Sequence, residues 1–307
     1  MIETVDLTRR FGTLVAVEGL NLSIKDGEVY GLLGPNGAGK TTTIRMLTAL
    51  ISSSSGSAYI DRLDTSNPTD QLKIRAMVGL LPESPGLYES LSARQNLDFF
   101  GKMYGVPIKD REERIERLLR TLDLWDRRDG AVGGFSKGMK QKIAIARALM
   151  HEPRFLFLDE PTSGLDPQAA MTVRNYLLEL KKEGRTILLN THNLDDAQRL
   201  CDRIGVIRTR LLAEGSPDEL ADRFFGRTTL VRMSKVPSGI GQAVSSLPGV
   251  LSAELHDKEL VLRMEDPSAQ NPAVVDLIIK LGGGIEYVEQ GRRGLEDIYL
   301  KIIGGGK

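Results

Sequence analysis

Several features that mark particular classes of protein are scarce in this sequence. Cysteine occurs once, at Cys201, so an intramolecular disulfide is excluded. The predicted amphipathic helix around Cys201 favours a small buried apolar residue over a reactive thiol. The three histidines are scattered and lack the spacing of metal ligands. Lysine plus arginine equals aspartate plus glutamate, at 41 each, so no net charge draws the whole chain to nucleic acid or anionic lipid.

Long apolar runs are also missing from the sequence. No segment approaches the roughly 18 uninterrupted apolar residues that a membrane-spanning helix needs. The first residues, MIETVDLTRRFG, lack the basic start and apolar stretch of a secretory signal. We therefore expect any role at a membrane to come through a partner chain.

The first two hundred residues alternate short apolar runs with helical patterns, which predicts an α/β fold with a mostly parallel sheet. The predicted buried strands cover residues 28–33, 154–158, 185–190 and 203–207. Between about residues 86 and 150 the pattern is helical only, with predicted helices at 92–104, 110–122 and 137–150. This segment is therefore predicted to be a helical subdomain inserted into the α/β core.

The pattern changes again after about Phe225. Its predicted strands are 228–233, 250–255, 259–264 and 285–290, and its predicted helices are 238–247 and 271–281. This order, β-α-β-β-α-β, is that of the ferredoxin-like α+β arrangement. We therefore predict two domains, one over residues 1–225 and a small C-terminal α+β domain over residues 226–307.

A glycine-rich segment after the first buried strand carries the most specific signal. It reads GPNGAGKT and fits the phosphate-binding pattern G-x-x-x-x-G-K-[ST], between a predicted strand and a predicted helix. The glycines let backbone amides turn towards phosphate oxygens, and the helix start adds a favourable dipole. The lysine is placed to reach the terminal phosphates, and the threonine hydroxyl to bind Mg²⁺. The predicted ATP-binding residues of this loop are Gly34, Pro35, Asn36, Gly37, Ala38, Gly39, Lys40, Thr41 and Thr42.

A second signal is the pair of acidic residues at the end of the predicted strand FLFLDE. Because ionised side chains are costly to bury without compensation, the two acids at its end indicate a charged ligand. Mg²⁺ would compensate Asp159, and Glu160 would then be placed to take a proton from an attacking water.

The stretch from Phe135 to Pro167, FSKGMKQKIAIARALMHEPRFLFLDEPTSGLDP, closely resembles the ATP-binding cassette (ABC) ATPases, a family of P-loop NTPases. The resemblance covers roughly residues 2 to 220, with the motifs in family order. Asp166 stands in the segment that resembles the family's D-loop, His192 where the family has its switch histidine, and Phe11 where it stacks an aromatic ring on adenine. The residues in the place of the family's signature are Ser136, Lys137, Gly138 and Met139.

The resemblance implies a head-to-tail pair of cassettes, with each ATP between one phosphate loop and the signature of the other chain. A homodimer is the expected form. Ser136 is a good N-cap, and the helix start that follows it would offer a second anion site to the γ-phosphate from the opposite chain. His192 would contact the same phosphate and hold the water near Glu160.

Three positions depart from the family pattern. Met139 replaces a glutamine, so a side-chain hydrogen bond is lost. Lys137 replaces a glycine, which puts a cation at a helix N-terminus; a nearby phosphate would make it favourable, and a solvated lysine is the alternative. Glu83 stands where many members have a glutamine that links Mg²⁺ to the membrane subunit, and we expect it to bind Mg²⁺; a solvent-facing acid is the alternative.

Within the family, LPE, FSKGM and GLEDIYLKI resemble the ATPases of two-component exporters. The expected partner is a transmembrane permease subunit on a separate chain, with this protein peripheral on the cytoplasmic face of the membrane. The alternative is a soluble cassette ATPase that acts on ribosomes or DNA. A single phosphate loop and the lack of a heptad run disfavour it, so no nucleic-acid partner is expected. A regulatory subunit without hydrolysis is disfavoured by Asp159, Glu160 and His192.

Overall fold

A computed structural model describes residues 1–291 and 294–305. It divides the chain into two compact units, Met1–Ser216 and Pro217–Lys307. The elements of the first unit, in chain order, are β1 (Ile2–Phe11), β2 (Leu14–Ile24), β3 (Val29–Leu33), α1 (Lys40–Leu47), β4 (Ser55–Ile60), β5 (Leu63–Asp64), α2 (Pro68–Met77), β6 (Val78–Leu81), α3 (Ala93–Met103), α4 (Ile108–Thr121), α5 (Lys137–Leu149), β7 (Phe155–Asp159), α6 (Pro167–Lys182), β8 (Thr186–Thr191), α7 (Leu194–Leu200), β9 (Arg203–Arg208) and β10 (Arg210–Gly215).

The main sheet of the first unit has six strands in the order β10-β9-β3-β8-β7-β6. All neighbours in it run parallel except β10, which pairs antiparallel with β9. Strands β3, β7 and β8 are buried along their whole length. They read VYGLL, FLFLD and TILLNT, the continuous apolar runs of strands covered on both faces. The predicted mostly parallel α/β sheet is confirmed.

A second sheet of the first unit was not delineated by the sequence analysis. Strands β2, β1, β4 and β5 form an antiparallel sheet in that order. Strand β2 buries alternate residues, Leu20, Leu22 and Ile24, as a strand with one face on the core does. Periodicity alone thus marks the strand, but the sheet it joins depends on contacts that lie far apart in sequence.

The segment between β6 and β7 contains helices and no strand among its described residues, as predicted for about 86–150. Ser92 begins α3 with a capping box, because its side chain accepts from the N–H of Gln95 while the Gln95 side chain accepts from the N–H of Ser92. Ser136 begins α5 by accepting a hydrogen bond from the N–H of Met139 at 3.2 Å. Both helix starts therefore satisfy backbone groups that a helix leaves open.

Cys201 follows α7 and is buried, as predicted. Burial raises the pKa of its thiol well above the usual range. A Cβ on Gly31 of β3 would lie 2.7 Å from the Cys201 sulfur, so glycine is required for this close approach. The side chain therefore fills the space between α7 and the main sheet.

The second unit contains an antiparallel sheet in the order β12-β13-β11-β14. Its elements are α8 (Pro217–Phe225), β11 (Arg227–Lys235), α9 (Ile240–Ser245), β12 (Val250–His256), β13 (Glu259–Met264), α10 (Pro267–Lys280), β14 (Gly284–Gln290) and α11 (Leu295–Gly304). The six elements from β11 to β14 follow the predicted β-α-β-β-α-β order. Their buried residues form a core of their own, with Val231, Met233, Leu260, Leu262 and Ile278 among its members.

The division between the units precedes α8, whereas the predicted boundary follows Phe225, at the end of that helix. Helix α8 buries Leu220 and contacts α11 within the second unit. A boundary that depends on this distant contact between two helices cannot be read from the local pattern of α8.

Candidate functional site

The loop between β3 and α1 leaves no room for side chains at two of its glycines. Gly39 has a φ of 100°, in the left-handed region, and a Cβ there would collide with the carbonyl oxygen of Ala16. A Cβ on Gly34 would likewise collide with the carbonyl oxygen of Ile207. These two glycines therefore let the loop pack closely against β2 and β9 at the start of α1.

Lys40 turns its ammonium back over this loop. The side chain is 7% exposed, and Nζ donates hydrogen bonds to the carbonyl oxygens of Gly34 at 2.7 Å and Pro35 at 3.2 Å. Burial lowers the pKa of the ammonium. Nearby carboxylates oppose this change in the pKa, those of Glu160, Asp159 and Glu83. The loop thus holds a partly desolvated cation beside three acids.

Asp159 ends β7 and is 3% exposed. It accepts a hydrogen bond from the Thr41 hydroxyl at 2.7 Å and one from the Asn190 amide at 3.3 Å. The Asn190 Oδ1 atom is also buried and has no hydrogen-bond partner within the described part of the chain. Several oxygen atoms therefore meet beside the phosphate-binding pattern.

Glu160 leaves the sheet one residue later. Its φ of 53° lies in the left-handed region, which costs a non-glycine residue about 1–2 kcal/mol. The backbone N–H donates to the carbonyl oxygen of Asn190 at 2.9 Å, and the carboxylate Oε1 lies 2.8 Å from Nδ1 of His192. Thr191 Oγ1 lies 3.5 Å from the other carboxylate oxygen. The turn thus brings Glu160 and the 62% exposed His192 together.

A cavity of about 420 Å³ joins most of these residues. It brings together segments that are far apart in sequence, since Phe11, Glu83 and the two acids after β7 line it together with the glycine loop. The lining residues are Phe11, Leu14, Val15, Ala16, Asn36, Gly37, Ala38, Gly39, Lys40, Thr41, Thr42, Glu83, Asp159 and Glu160. We call this the nucleotide cavity.

Phe11 lies in this cavity with 46% of its surface exposed. The guanidinium of Arg9 lies over its ring, 4.5 Å from the centroid, in a cation–π contact. Arg9 itself does not line the cavity, so its guanidinium contacts the Phe11 ring from outside the cavity. Arg9 was not predicted, because a single arginine two residues before an aromatic one has no distinctive pattern.

The signature residues lie elsewhere within the same chain. Ser136, Gly138 and Met139 line a separate cavity of about 250 Å³, together with Asp166. Asp166 caps α6 by accepting a hydrogen bond from the N–H of Ala169 at 2.8 Å. One copy of the chain therefore does not bring these four residues to its own nucleotide cavity.

Asn190, Thr191 and Gln141 contact the two acids or their loop, and none of the three was predicted from the sequence. Gln141 donates to the carbonyl oxygen of Pro161 at 3.2 Å, directly after the acidic pair. Asn190 ends the predicted buried strand 185–190 and Thr191 follows it, but the sequence does not show that this strand lies beside β7. Gln141 lies in a helix with no comparable signal.

The donor set at Thr41 and Asp159 fits magnesium. Mg²⁺ prefers oxygen ligands and is held by one or two carboxylates plus substrate phosphates. Thr41, Asp159 and Glu83 supply such oxygens in one cavity. The buried Asn190 Oδ1 atom has no hydrogen-bond partner among the described residues. Within residues 1–291 and 294–305, no group of three or more His, Cys, Asp or Glu could hold a metal by itself. The remaining ligands would then come from phosphate and water.

Comparison with known protein families gives a direct match. The model of the family described as ABC transporter matches residues 17–163. The chain is 34% identical to the linearmycin resistance ATP-binding protein LnrL of Bacillus subtilis, over 91% of this chain and 89% of that protein. It is 34% identical to the bacitracin transport ATP-binding protein BcrA of Bacillus licheniformis, over 100% of this chain and 98% of that protein.

The chain belongs to the ABC transporter family. A solved ATP-binding subunit of an ABC transporter superposes with a TM-score of 0.68 at 33% identity, covering 74% of this chain and 94% of that one. The dimeric post-hydrolysis state of the cassette MJ0796, bound to ADP and Pi, gives a TM-score of 0.65 at 26% identity over 70% and 98% of the two chains. This ABC protein is accordingly an ATP-binding cassette subunit and an ATPase of a transport system.

Among the described residues of this cassette subunit, no helix combines the length and apolar character needed to cross a membrane.

Proposed function

We propose that the chain is the ATP-hydrolysing subunit of an exporter, which binds MgATP between two cassettes and drives a separate transmembrane permease. The observation that carries the proposal is the nucleotide cavity, in which the phosphate loop faces Asp159 and Glu160. Export is supported by relatives whose names refer to linearmycin resistance and bacitracin transport. The protein would lie peripherally on the cytoplasmic face of the membrane.

In this proposal, the loop from Gly34 to Thr42 surrounds the phosphates with backbone N–H groups. Lys40 exchanges its two carbonyl acceptors for the terminal phosphate oxygens, since a charged acceptor is the stronger one. Phe11 stacks on the adenine with the ring face that Arg9 leaves open.

Glu160 acts as the general base in hydrolysis. It takes a proton from water as the water oxygen bonds to the γ-phosphorus, and the bond from that phosphorus to the bridging oxygen breaks, with its electron pair leaving on ADP. His192, 2.8 Å from the carboxylate, orients Glu160 and the water. Mg²⁺, held by Thr41, Asp159 and Glu83, would neutralise phosphate charge.

The partner cassette is proposed to complete each site. Ser136, Gly138 and Met139 face a cavity away from the phosphate loop of their own chain, so a second copy is needed for them to contact nucleotide. Two chains in head-to-tail contact would place Ser136 and the start of α5 against the γ-phosphate of the opposite site. We propose a homodimer as the working form.

Size-exclusion chromatography of Glu160→Gln tests this assembly. Because the variant binds MgATP but hydrolyses it slowly, we expect it to accumulate as a dimer with MgATP and to run as a monomer without nucleotide. Lys40→Ala in the Glu160→Gln background is the control and should need about tenfold to a hundredfold more MgATP to dimerise. A monomeric Glu160→Gln at saturating MgATP would contradict the two-cassette site.

The C-terminal domain is proposed to support dimer stability or assembly with the permease. The competing proposal is a cassette ATPase that acts on ribosomes or DNA, and co-purification of the full chain tests it. We expect the full chain to purify with membranes that contain the permease and not to sediment with ribosomes or bind DNA.

A further inference from the structure

Lys137 faces away from the other three signature residues. Ser136, Gly138 and Met139 line the cavity that contains Asp166, whereas Lys137 is not among the residues lining it. Lys137 instead lines a cavity of about 620 Å³ on the other side of α5. This second cavity contains Glu83, Glu160 and His192 of the same chain. Consecutive signature residues are thus directed towards two different sites.

The side chain of Lys137 lies directly over Gly164. A Cβ on Gly164 would overlap the Lys137 ammonium and would lie 3.1 Å from its Cε atom. Gly164 has a φ of 67°, so the backbone conformation favours glycine at this position. The lysine therefore extends from the start of α5 across the loop that precedes α6.

The Lys137 ammonium has neither an ion pair nor a hydrogen bond to any residue that the structure describes. The neighbouring Lys140 differs, because its ammonium lies 2.7 Å from Glu89 Oε1. Of the two lysines that line the cavity, Lys137 thus has no direct ion pair, although the carboxylates of Glu83 and Glu160 line the same cavity. A lysine in such a position is available to an anion.

The cavity of Lys137 adjoins the nucleotide cavity at Glu160, the proposed general base. Asn36, Glu83 and Glu160 line both the nucleotide cavity and the cavity of Lys137. Phosphate released beside Glu160 would therefore lie next to the second cavity. His192 and the Gln141 side chain also line that cavity, and both carry hydrogen-bond donors.

We propose that Lys137, together with Lys140 and His192, forms a subsite for the inorganic phosphate that hydrolysis releases in the same chain. This inference rests on the proposed function, which supplies the phosphate. It assigns Lys137 to the product of its own chain, whereas its three signature neighbours serve the nucleotide of the opposite chain. Lys137 contacts phosphate after the bond has broken, so it affects product release more than ATP binding.

Direct binding of inorganic phosphate tests the subsite. Phosphate is titrated into the full chain saturated with MgADP, and binding is followed by its ³¹P NMR signal. Replacing one charged contact by a neutral one predicts that Lys137→Gln raises the dissociation constant about three- to tenfold. Lys137→Arg keeps the charge and should stay within about twofold of wild type.

Lys109→Gln is the matched control, because it removes an exposed lysine charge from α4, outside the three cavities. It should bind phosphate as wild type does. Equal dissociation constants for wild type and Lys137→Gln, or no phosphate binding by wild type, would overturn the subsite.

A mixed pair of differently tagged chains separates the two possible sources of phosphate contact. Glu160→Gln silences hydrolysis in one chain, so the phosphate released comes from the other. With Lys137→Gln on the active chain, we expect half-inhibition of hydrolysis to need about three- to tenfold more added phosphate. With Lys137→Gln on the silenced chain, inhibition should not change. If instead Lys137→Gln changed the inhibition only when it is on the silenced chain, Lys137 would act across the dimer and the inference would be refuted.

The two proposals can fail separately in these experiments. A wild-type chain that neither binds MgATP nor hydrolyses it would refute the proposed function, while the ³¹P titration would still decide whether the subsite exists. If the chain hydrolyses ATP and added phosphate inhibits wild type and Lys137→Gln equally, the subsite alone would be refuted.

Discussion

The main sheet of the first unit and the sheet of the second unit arrange their polar residues in opposite ways. In the first, strands β3, β7 and β8 run parallel, and the register pairs Leu33 with Thr191 and Asp159 with Asn190. The carboxyl ends of these strands therefore meet at one edge, and the polar residues that follow the apolar runs meet there too. A parallel sheet thus concentrates chemistry that is far apart in sequence.

In the second unit, neighbouring strands run antiparallel, so their carboxyl ends lie at opposite edges of the sheet. Its charged residues are spread along the strands, as with Arg263 on β13 and Glu254 and Glu289 on the two edge strands, all of them exposed. Similar residue types are present, yet the described part of this unit does not collect them around a buried acid. Parallel strand direction therefore explains why Asp159 and Asn190 meet at one edge of the first unit's main sheet.

The largest expected effect is on the rate of ATP hydrolysis, and it compares a glutamate of the first unit with one of the second. Glu160→Gln removes the general base and should lower the rate of ATP hydrolysis by about 10²–10⁴ while ATP binding is retained. Glu289→Gln makes the same change at the exposed end of β14 and should leave the rate unchanged. The measurement is phosphate release under saturating MgATP. Full hydrolysis by Glu160→Gln would show that another residue takes the proton.

The next effect concerns the cations of the two units. Lys40→Ala removes a charge from the terminal phosphates and should weaken MgATP binding about tenfold to a hundredfold, since a hydrogen bond to a charged group contributes about 1.5–3 kcal/mol. Lys258→Ala removes an exposed lysine from the turn between β12 and β13 and should not change the affinity. Calorimetric titration with MgATP measures both. Unchanged affinity in Lys40→Ala would contradict the role of this lysine.

Separating the units tests whether each has its own core. A fragment of residues 1–216 should stay folded and bind MgATP within about twofold of the full chain, because the nucleotide cavity lies entirely in the first unit. A fragment of residues 1–225 should bind equally well but aggregate more, since α8, which buries Leu220, loses its contacts with α11. Light scattering and calorimetry measure the two properties. An insoluble 1–216 fragment would show that the two units share a core.

The phosphate loop and the acidic pair could be predicted because consecutive residues carry the whole signal. Gly39 must be glycine for its own φ and for a contact with Ala16, and the pattern GPNGAGKT reports that requirement locally. The strand before Asp159 is marked by its own apolar run. Local sequence therefore suffices wherever one segment supplies both the conformation and the chemistry.

The partners of these residues could not be predicted, because they depend on which strands become neighbours. Asn190 lies beside Asp159 only through the pairing of β7 with β8, and the sequence contains no sign of that order. Lys137 likewise lines a cavity with Glu160, whereas its neighbour Ser136 lines a different one. The direction of one side chain at a helix start is set by tertiary contacts, which a motif does not encode.

The smallest expected effect lies at Glu83, which lines the nucleotide cavity and the cavity of Lys137. A glutamine offers Mg²⁺ a neutral carbonyl oxygen and a glutamate a full charge, and this hard cation accepts either. Glu83→Gln should therefore keep hydrolysis within a few-fold of wild type, whereas Glu83→Ala, which has no oxygen to offer, should weaken turnover more. The carboxylate also repels phosphate when Mg²⁺ is scarce, so wild type should depend more steeply on Mg²⁺ for ATP binding than Glu83→Gln does. A Mg²⁺ titration of all three forms measures this, and three superimposable curves would mean that Glu83 does not sense the metal and that coupling to the permease runs through another residue.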